Sequence, residues 1–192
     1  SQAAIAVLNT KTGLIEAIGG GKNYKAGGYN YAVDAKVQPG SAIKPLIDYA
    51  PGIEYYGWDS QTTFSDSPYQ IAGTNFFIQN WDRLYKPSTI VKVFNANGKE
   101  LPSMRDKATK AMSEETAYLM TNVLKGVLTS NGTSPNGKVA NFDMAGKSGS
   151  TTFDESAKRT FGIDVTNSTK DSWMIGYTSE YTVSVWQGAD VV

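Results

Sequence analysis

The chain has no cysteine and no histidine among its 192 residues. The first absence excludes disulfides, thiol nucleophiles and thiolate-bound metal. The second rules out a Ser-His-Asp triad within the chain and removes the commonest zinc ligand. A serine nucleophile here would have to hand its proton to a lysine, a carboxylate or a tyrosine. A surplus of either charge is also missing: Lys plus Arg and Asp plus Glu stand at 18 each, so nothing global marks nucleic acid or an anionic membrane as a partner. No apolar run reaches membrane-spanning length, and the opening SQAAIAVLNT lacks the charged-then-apolar order of a signal peptide. The expectation is a soluble piece, compatible with an ectodomain of a longer parent.

What is present is a 40% apolar composition, enough for a core of ordinary size. No internal repeat, low-complexity tract or linker divides the chain, so residues 1–192 read as a single domain. AAIAVLNTKTGLIEAIGGG reads as a β-hairpin: a strand at about residues 4–8, an Asn-Thr-Lys-Thr-Gly turn, and a second strand ending in three glycines. Residues 22–40 are rich in Gly, Tyr and Asn and read as a loop. Ser41 then opens a helical pattern through Leu46, Ile47 and Tyr49, with Pro51 expected to kink or end it. Residues 57–85 look loop-like, and STIVKVFNANGKEL resembles a hairpin turning at Asn97-Gly98.

SEETAYLMTNVLKGVLTS is the clearest helix, with Ser113 as N-cap, Glu114 and Glu115 in the first turn, and an apolar set that includes Met120 and Leu124. FDMAGKSGST, SWMIGYTS and YTVSVWQGAD follow as strands, the first joined to the second by a polar stretch. Two strands, then helices, then three strands suit an α+β domain with a mainly antiparallel sheet that combines the chain ends and carries packed helices.

Two short patterns carry chemistry. Ser41 and Lys44, in GSAIK, are three apart at a helix start, which places both on one face. Lys44 could take the serine's proton if burial or a neighbouring cation lowered its pKa. The plainer reading has Ser41 as an ordinary N-cap and Lys44 as a solvated helix residue. In AGKSGST, Lys147 supplies charge, Ser148 and Ser150 supply hydroxyls for a carboxylate, and Gly149 lets another backbone come close. The alternative is an edge strand guarded by its lysine.

Ser-x-x-Lys, Ser-x-Asn and Lys-Thr-Gly together are the signature of serine β-lactamases and penicillin-binding proteins. With QPGSAIKPLIDYAPGIEYYGWDS, SPYQIAGTNFFIQNWDR, AMSEETAYLMTNVLKGVLTSNGT and DSWMIGYTSEYTVSVWQGAD in the same order, the chain resembles the transpeptidase domain of a Gram-positive class A penicillin-binding protein over almost its whole length. The resemblance implies the β-lactamase/transpeptidase-like fold. It implies Ser41 as the acylated nucleophile, Lys44 as its base and Lys147 as the completing cation. Ser148, Gly149, Ser150 and Thr151 would form the substrate-binding set, and the backbone N–H groups of Ser41 and Ser150 the oxyanion hole. The implied reaction is D,D-transpeptidation of peptidoglycan stem peptides, with β-lactams as trapping mimics, and no cofactor or metal. Full-length relatives are membrane-anchored on the extracytoplasmic side and carry a glycosyltransferase domain.

One motif is out of place. NWDRLYKP runs straight into STIVKVFNANGKEL, as though the central helical lobe that bears Ser-x-Asn were deleted near residues 83–87. The literal triplet Ser134-Pro135-Asn136 follows the long helix and reads as a turn. Without the lobe, Lys44 is expected to be wetter and the site weaker, which leaves a catalytically impaired penicillin-binding scaffold as the alternative to an active enzyme. A β-lactamase is disfavoured, because no counterpart of that family's deacylating glutamate is recognisable.

Overall fold

The computed structural model describes residues 1–63, 110–164 and 167–189. The expected hairpin at Asn97-Gly98 and the deletion near residues 83–87 lie outside these residues, as does most of the loop-like text before them.

Five strands form one sheet in the order β2-β1-β5-β4-β3, with every neighbouring pair antiparallel. They are β1 (Gln2–Asn9), β2 (Ile15–Gly19), β3 (Ala145–Thr152), β4 (Thr169–Tyr177) and β5 (Tyr181–Gly188). The first and last strands of the chain pair directly, Gln2 opposite Gly188 through Asn9 opposite Tyr181. The chain ends therefore meet in the sheet, as the strand–helix–strand order implies. The first hairpin turns where Asn9 Oδ1 accepts from the backbone N–H of Lys11 and Thr12, and Gly13 supplies the left-handed residue at φ +68°.

Side chains alternate between sheet faces. The face that carries Ala145 and Tyr177 packs against helices α1 (Ala50–Tyr56) and α2 (Glu114–Gly126) through a cluster of Ala50, Met120, Leu124 and Ala145. Thr121 Oγ1 and Tyr177 Oη lie 2.9 Å apart and fasten α2 to β4. As the sequence leads one to expect, Ser113 caps α2, its Oγ accepting from the Thr116 N–H at 3.1 Å. Ser113 also gives its backbone N–H and its hydroxyl to Glu54 of α1, and Thr116 Oγ1 donates to the same carboxylate. Those three bonds hold Glu54 down at a pKa of about 2, the Thr116 hydroxyl contributing most.

Two expectations need correction. Pro51 does not end the helix, which runs on to Tyr56. The chain winds from a 3-10 turn (Gly40–Ile43) through a wide π turn (Pro45–Tyr49) into α1, and Pro51 falls in the first turn of α1. The polar stretch after β3 contains a helix, α3 (Glu155–Phe161). Asp154 opens it, its Oδ1 accepting from the Ala157 N–H at 2.9 Å and from Ser156 Oγ at 2.6 Å. An Asp three residues before an alanine in a polar tract was the available signal.

Candidate functional site

The site begins at the turn before α1. Gly40 has φ +54°, and a Cβ there would stand 2.4 Å from the carbonyl oxygen of Ser150. Both facts demand glycine. On the other side, a Cβ on Gly149 would stand 2.3 Å from Pro39 O and 2.7 Å from Ala42 N. Two glycines thus let the backbone of residues 39–42 lie directly against that of residues 149–150. The indole of Trp173 in β4 fastens the approach, donating Nε1–H to Gln38 O at 2.8 Å.

Ser41 does not cap this helix start. Pro39 occupies the N-cap position with no side-chain capping bond, and Ser41 sits inside the 3-10 turn, half-buried. A 3-10 turn has three residues per turn, so positions three apart eclipse each other, and Lys44, which closes the turn, is stacked over Ser41. Lys44 is exposed. Among the described residues no hydrogen bond joins the two side chains.

Lys147 lies half-buried in β3, its Nζ donating to Ser148 O at 2.7 Å. Burial pushes its pKa below the ordinary lysine value, and the charge of Lys44 pushes the same way. The two cations therefore feel each other across the gap between turn and strand. Ser148 is half-buried, Gly149 buried and Ser150 exposed. Alternation puts Lys147, Gly149 and Thr151 on the helical face and Ser148 and Ser150 on the other. The hydroxyl of Thr151 donates to Asp171 Oδ2 at 2.6 Å. A cleft of about 380 Å³ opens beside Lys147, walled by Ala42, Leu46, Met120 and Tyr177.

Ser134 and Asn136 are not brought into this group. Pro135–Gly137 forms a single 3-10 turn after α2, and the neighbour of Gly137 is Met174, whose side chain lies on the opposite sheet face. Among the described residues no three acidic side chains cluster as a cation site would require. Residues that sequence reasoning passed over are Asp171, Trp173 and Gln38. An aspartate and a tryptophan inside a strand pattern were visible as text, but their partners are more than a dozen residues away.

Known proteins are similar to this chain in sequence and in fold. The penicillin-binding protein transpeptidase domain model matches residues 3–99 and 84–191. Penicillin-binding protein 1A/1B of Bacillus subtilis is 27% identical over 266 positions, covering 97% of this chain and 29% of the relative. Penicillin-binding protein 1A of Streptococcus pneumoniae is 25% identical, covering 97% of the chain and 38% of the relative. The chain thus spans about a third of the length of these relatives. In fold it is similar to PonA1 of Mycobacterium tuberculosis, with TM-score 0.66 and 18% identity over 97% of this chain and 67% of that one. Penicillin-binding protein 1A of Haemophilus influenzae gives the same TM-score at 19% identity, covering 98% of this chain and 43% of that one. The sheet order, the turn wedged against β3 and the extent of the match lead to one conclusion: the chain belongs to the penicillin-binding protein transpeptidase domain family.

Proposed function

We propose that the chain carries out serine acyl transfer on the D-alanyl-D-alanine ends of peptidoglycan stem peptides, with Ser41 as nucleophile. The observation that carries this reading is the close approach of residues 39–42 to Gly149 and Ser150, with Lys44 and Lys147 within electrostatic reach. Ser41 Oγ would attack the penultimate D-alanine carbonyl, forming the ester bond and expelling the terminal D-alanine. The serine proton would pass to the lysine pair, Lys44 being its member on Ser41's own turn. Burial and, less strongly, the charge of Lys44 lower the pKa of Lys147, so Lys147 gives up a proton more readily than an isolated lysine. The developing oxyanion would be held by the backbone N–H groups of Ser41 and Ser150. A ligand along the edge of β3 would meet Lys147 from one side and the hydroxyls of Ser148 and Ser150 from the other, which suits the terminal carboxylate. The amine of a neighbouring stem would then take the acyl group and free Ser41. A β-lactam would be opened by the same attack and remain as an ester. By analogy with the relatives, the work would take place on the extracytoplasmic face of the membrane, in a longer parent. No helix among the described residues is long and apolar enough to cross a membrane.

The exposure of Lys44 favours a second reading, a domain that keeps the fold and acylates slowly. The loss of one member of a cooperating group costs orders of magnitude in rate. The alignment with the Bacillus relative runs over 266 positions against 192 residues here, which supports an internal shortening. Incubation with a fluorescent penicillin, read by intact mass beside Ser41→Ala, tests both readings. An adduct of one penicillin per chain that disappears in the variant is the expected result. A folded protein without adduct after prolonged incubation would sink the acyl-transfer reading.

A further inference from the structure

Among the described residues the largest fully buried side chain is a carboxylate, Asp171, 2% exposed. A buried charge needs partners and stabilises little in its own right. Asp171 Oδ2 accepts from the Thr151 hydroxyl at 2.6 Å and Oδ1 accepts from Trp186 Nε1–H at 2.9 Å. Three adjacent strands are thereby joined: Thr151 in β3, Asp171 in β4 and Trp186 in β5. Thr151 stands opposite Asp171 in register, and Gly188 stands opposite it on the other side. A Cβ on Gly188 would lie 2.5 Å from the Trp186 ring, so the missing side chain lets the indole lie across the strand toward Asp171.

The joint sits where the site needs it. Regular pairing of β3 with β4 slips between Thr151 and Thr152, one residue beyond Ser150. The Thr151 hydroxyl pins the strand just before the slip. The backbone of Ser150 packs on Gly40, and Ser41 follows directly. On its other side Trp186 stacks on Tyr31 with ring centroids 5.8 Å apart, and Tyr31 belongs to the segment that leads into the Ser41 turn. One carboxylate is thus tied to both halves of the site.

We propose that Asp171 is a positioning residue that, through Thr151 and Trp186, sets the end of β3 against the Ser41 turn so that the Ser150 and Ser41 N–H groups converge. The role in acylation rests on the acyl-transfer reading above, while the geometric role does not. The test compares wild type with Thr151→Val, Thr151→Ser and Asp171→Asn by amide hydrogen exchange and by the rate of penicillin acylation. Thr151→Val is expected to speed exchange at residues 148–150 and 40–42 while leaving the β1–β2 hairpin unchanged, to slow acylation roughly ten- to a hundredfold, and to lower the melting temperature because one oxygen of the buried carboxylate loses its donor. Thr151→Ser restores all three. Asp171→Asn falls between, since its amide can donate to the Thr151 oxygen while its carbonyl accepts from Trp186. Unchanged exchange at residues 148–150 in Thr151→Val overturns the proposal, as does acceleration spread evenly over the sheet, which marks a merely stabilising group. A wild type that never acylates defeats the acyl-transfer reading alone, because the exchange comparison still decides the geometric role.

Discussion

At the residue scale the site depends on two glycines and two lysines. Gly40 combines a left-handed backbone with a 2.4 Å approach to Ser150 O, and Gly149 leaves room for Pro39 O. Gly40→Ala is expected to destabilise the fold by about 1–3 kcal/mol and to push the Ser41 turn off β3. Urea denaturation measures the first effect and loss of penicillin adduct the second. For the lysines, burial is the larger cause of the lowered Lys147 pKa and Lys44 the smaller. Lys44→Met should therefore raise the Lys147 titration midpoint only part of the way to its ordinary value, as followed by the Lys147 Cε resonance. A midpoint that stays put would show that the two charges do not interact. In sign, Lys147 bears its proton less readily folded than unfolded, so its penalty on stability is full at low pH. It is relieved as pH climbs through the lowered value toward 10.5.

At the element scale, the helix start and the α1–α2 contact decide most. Ser113 caps α2 and binds Glu54 at once, so Ser113→Ala should cost about 1 kcal/mol from the cap alone, read in denaturant unfolding. Glu54 makes the contact pH-dependent. Its carboxylate is held down to a pKa of about 2 from 4.5, so the stability it contributes is present above pH 4.5 and is lost as pH falls through about 2. Melting temperatures of wild type and Glu54→Gln should accordingly differ at neutral pH, converge below pH 4.5 and meet near pH 2. Parallel curves across that range would rule out Glu54 as the titrating group. These elements show where the text was legible. The start of α2 stood out because an N-cap and acids coincide with an apolar period, while the stretch read as helix ran past its end at Gly126. The helix around Ser41 was legible as a helix but not as a 3-10, π and α succession, since the two prolines that force the rewinding act through neighbouring turns. α3 was missed because its exposed, polar sequence offers little apolar period.

At the whole-molecule scale, the sheet makes the N-terminal strand an inner one, lying between β2 and β5. Its Ala4 is buried opposite Trp186, which is itself 3% exposed. Removal of residues 1–9 should therefore strip β5 of one of its two partners and abolish the cooperative melting transition in circular dichroism. A truncated chain that still melts cooperatively would mean that the last three strands fold without β1. Trp186→Ala is expected to cost about 3–5 kcal/mol through the cavity it leaves. Leu46, Ile47 and Val123 stay 44–49% exposed on the helical layer.

Local order was what the sequence by itself determined. Turn residues mark the first hairpin, the cap and period mark α2, and alternation marks the last strands, since each signal acts between residues a few positions apart. The missing histidine and cysteine left a serine nucleophile only a lysine, a carboxylate or a tyrosine as base before any fold was considered. Only the tertiary structure decided that Gly40 meets Ser150, that Lys44 presses on the Lys147 pKa, and that Asp171 lies buried between Thr151 and Trp186. Those contacts are set by how β3 lies against a turn more than a hundred residues earlier in the chain. Close approach and burial arise from that packing, and neither has a signature in a short stretch of sequence.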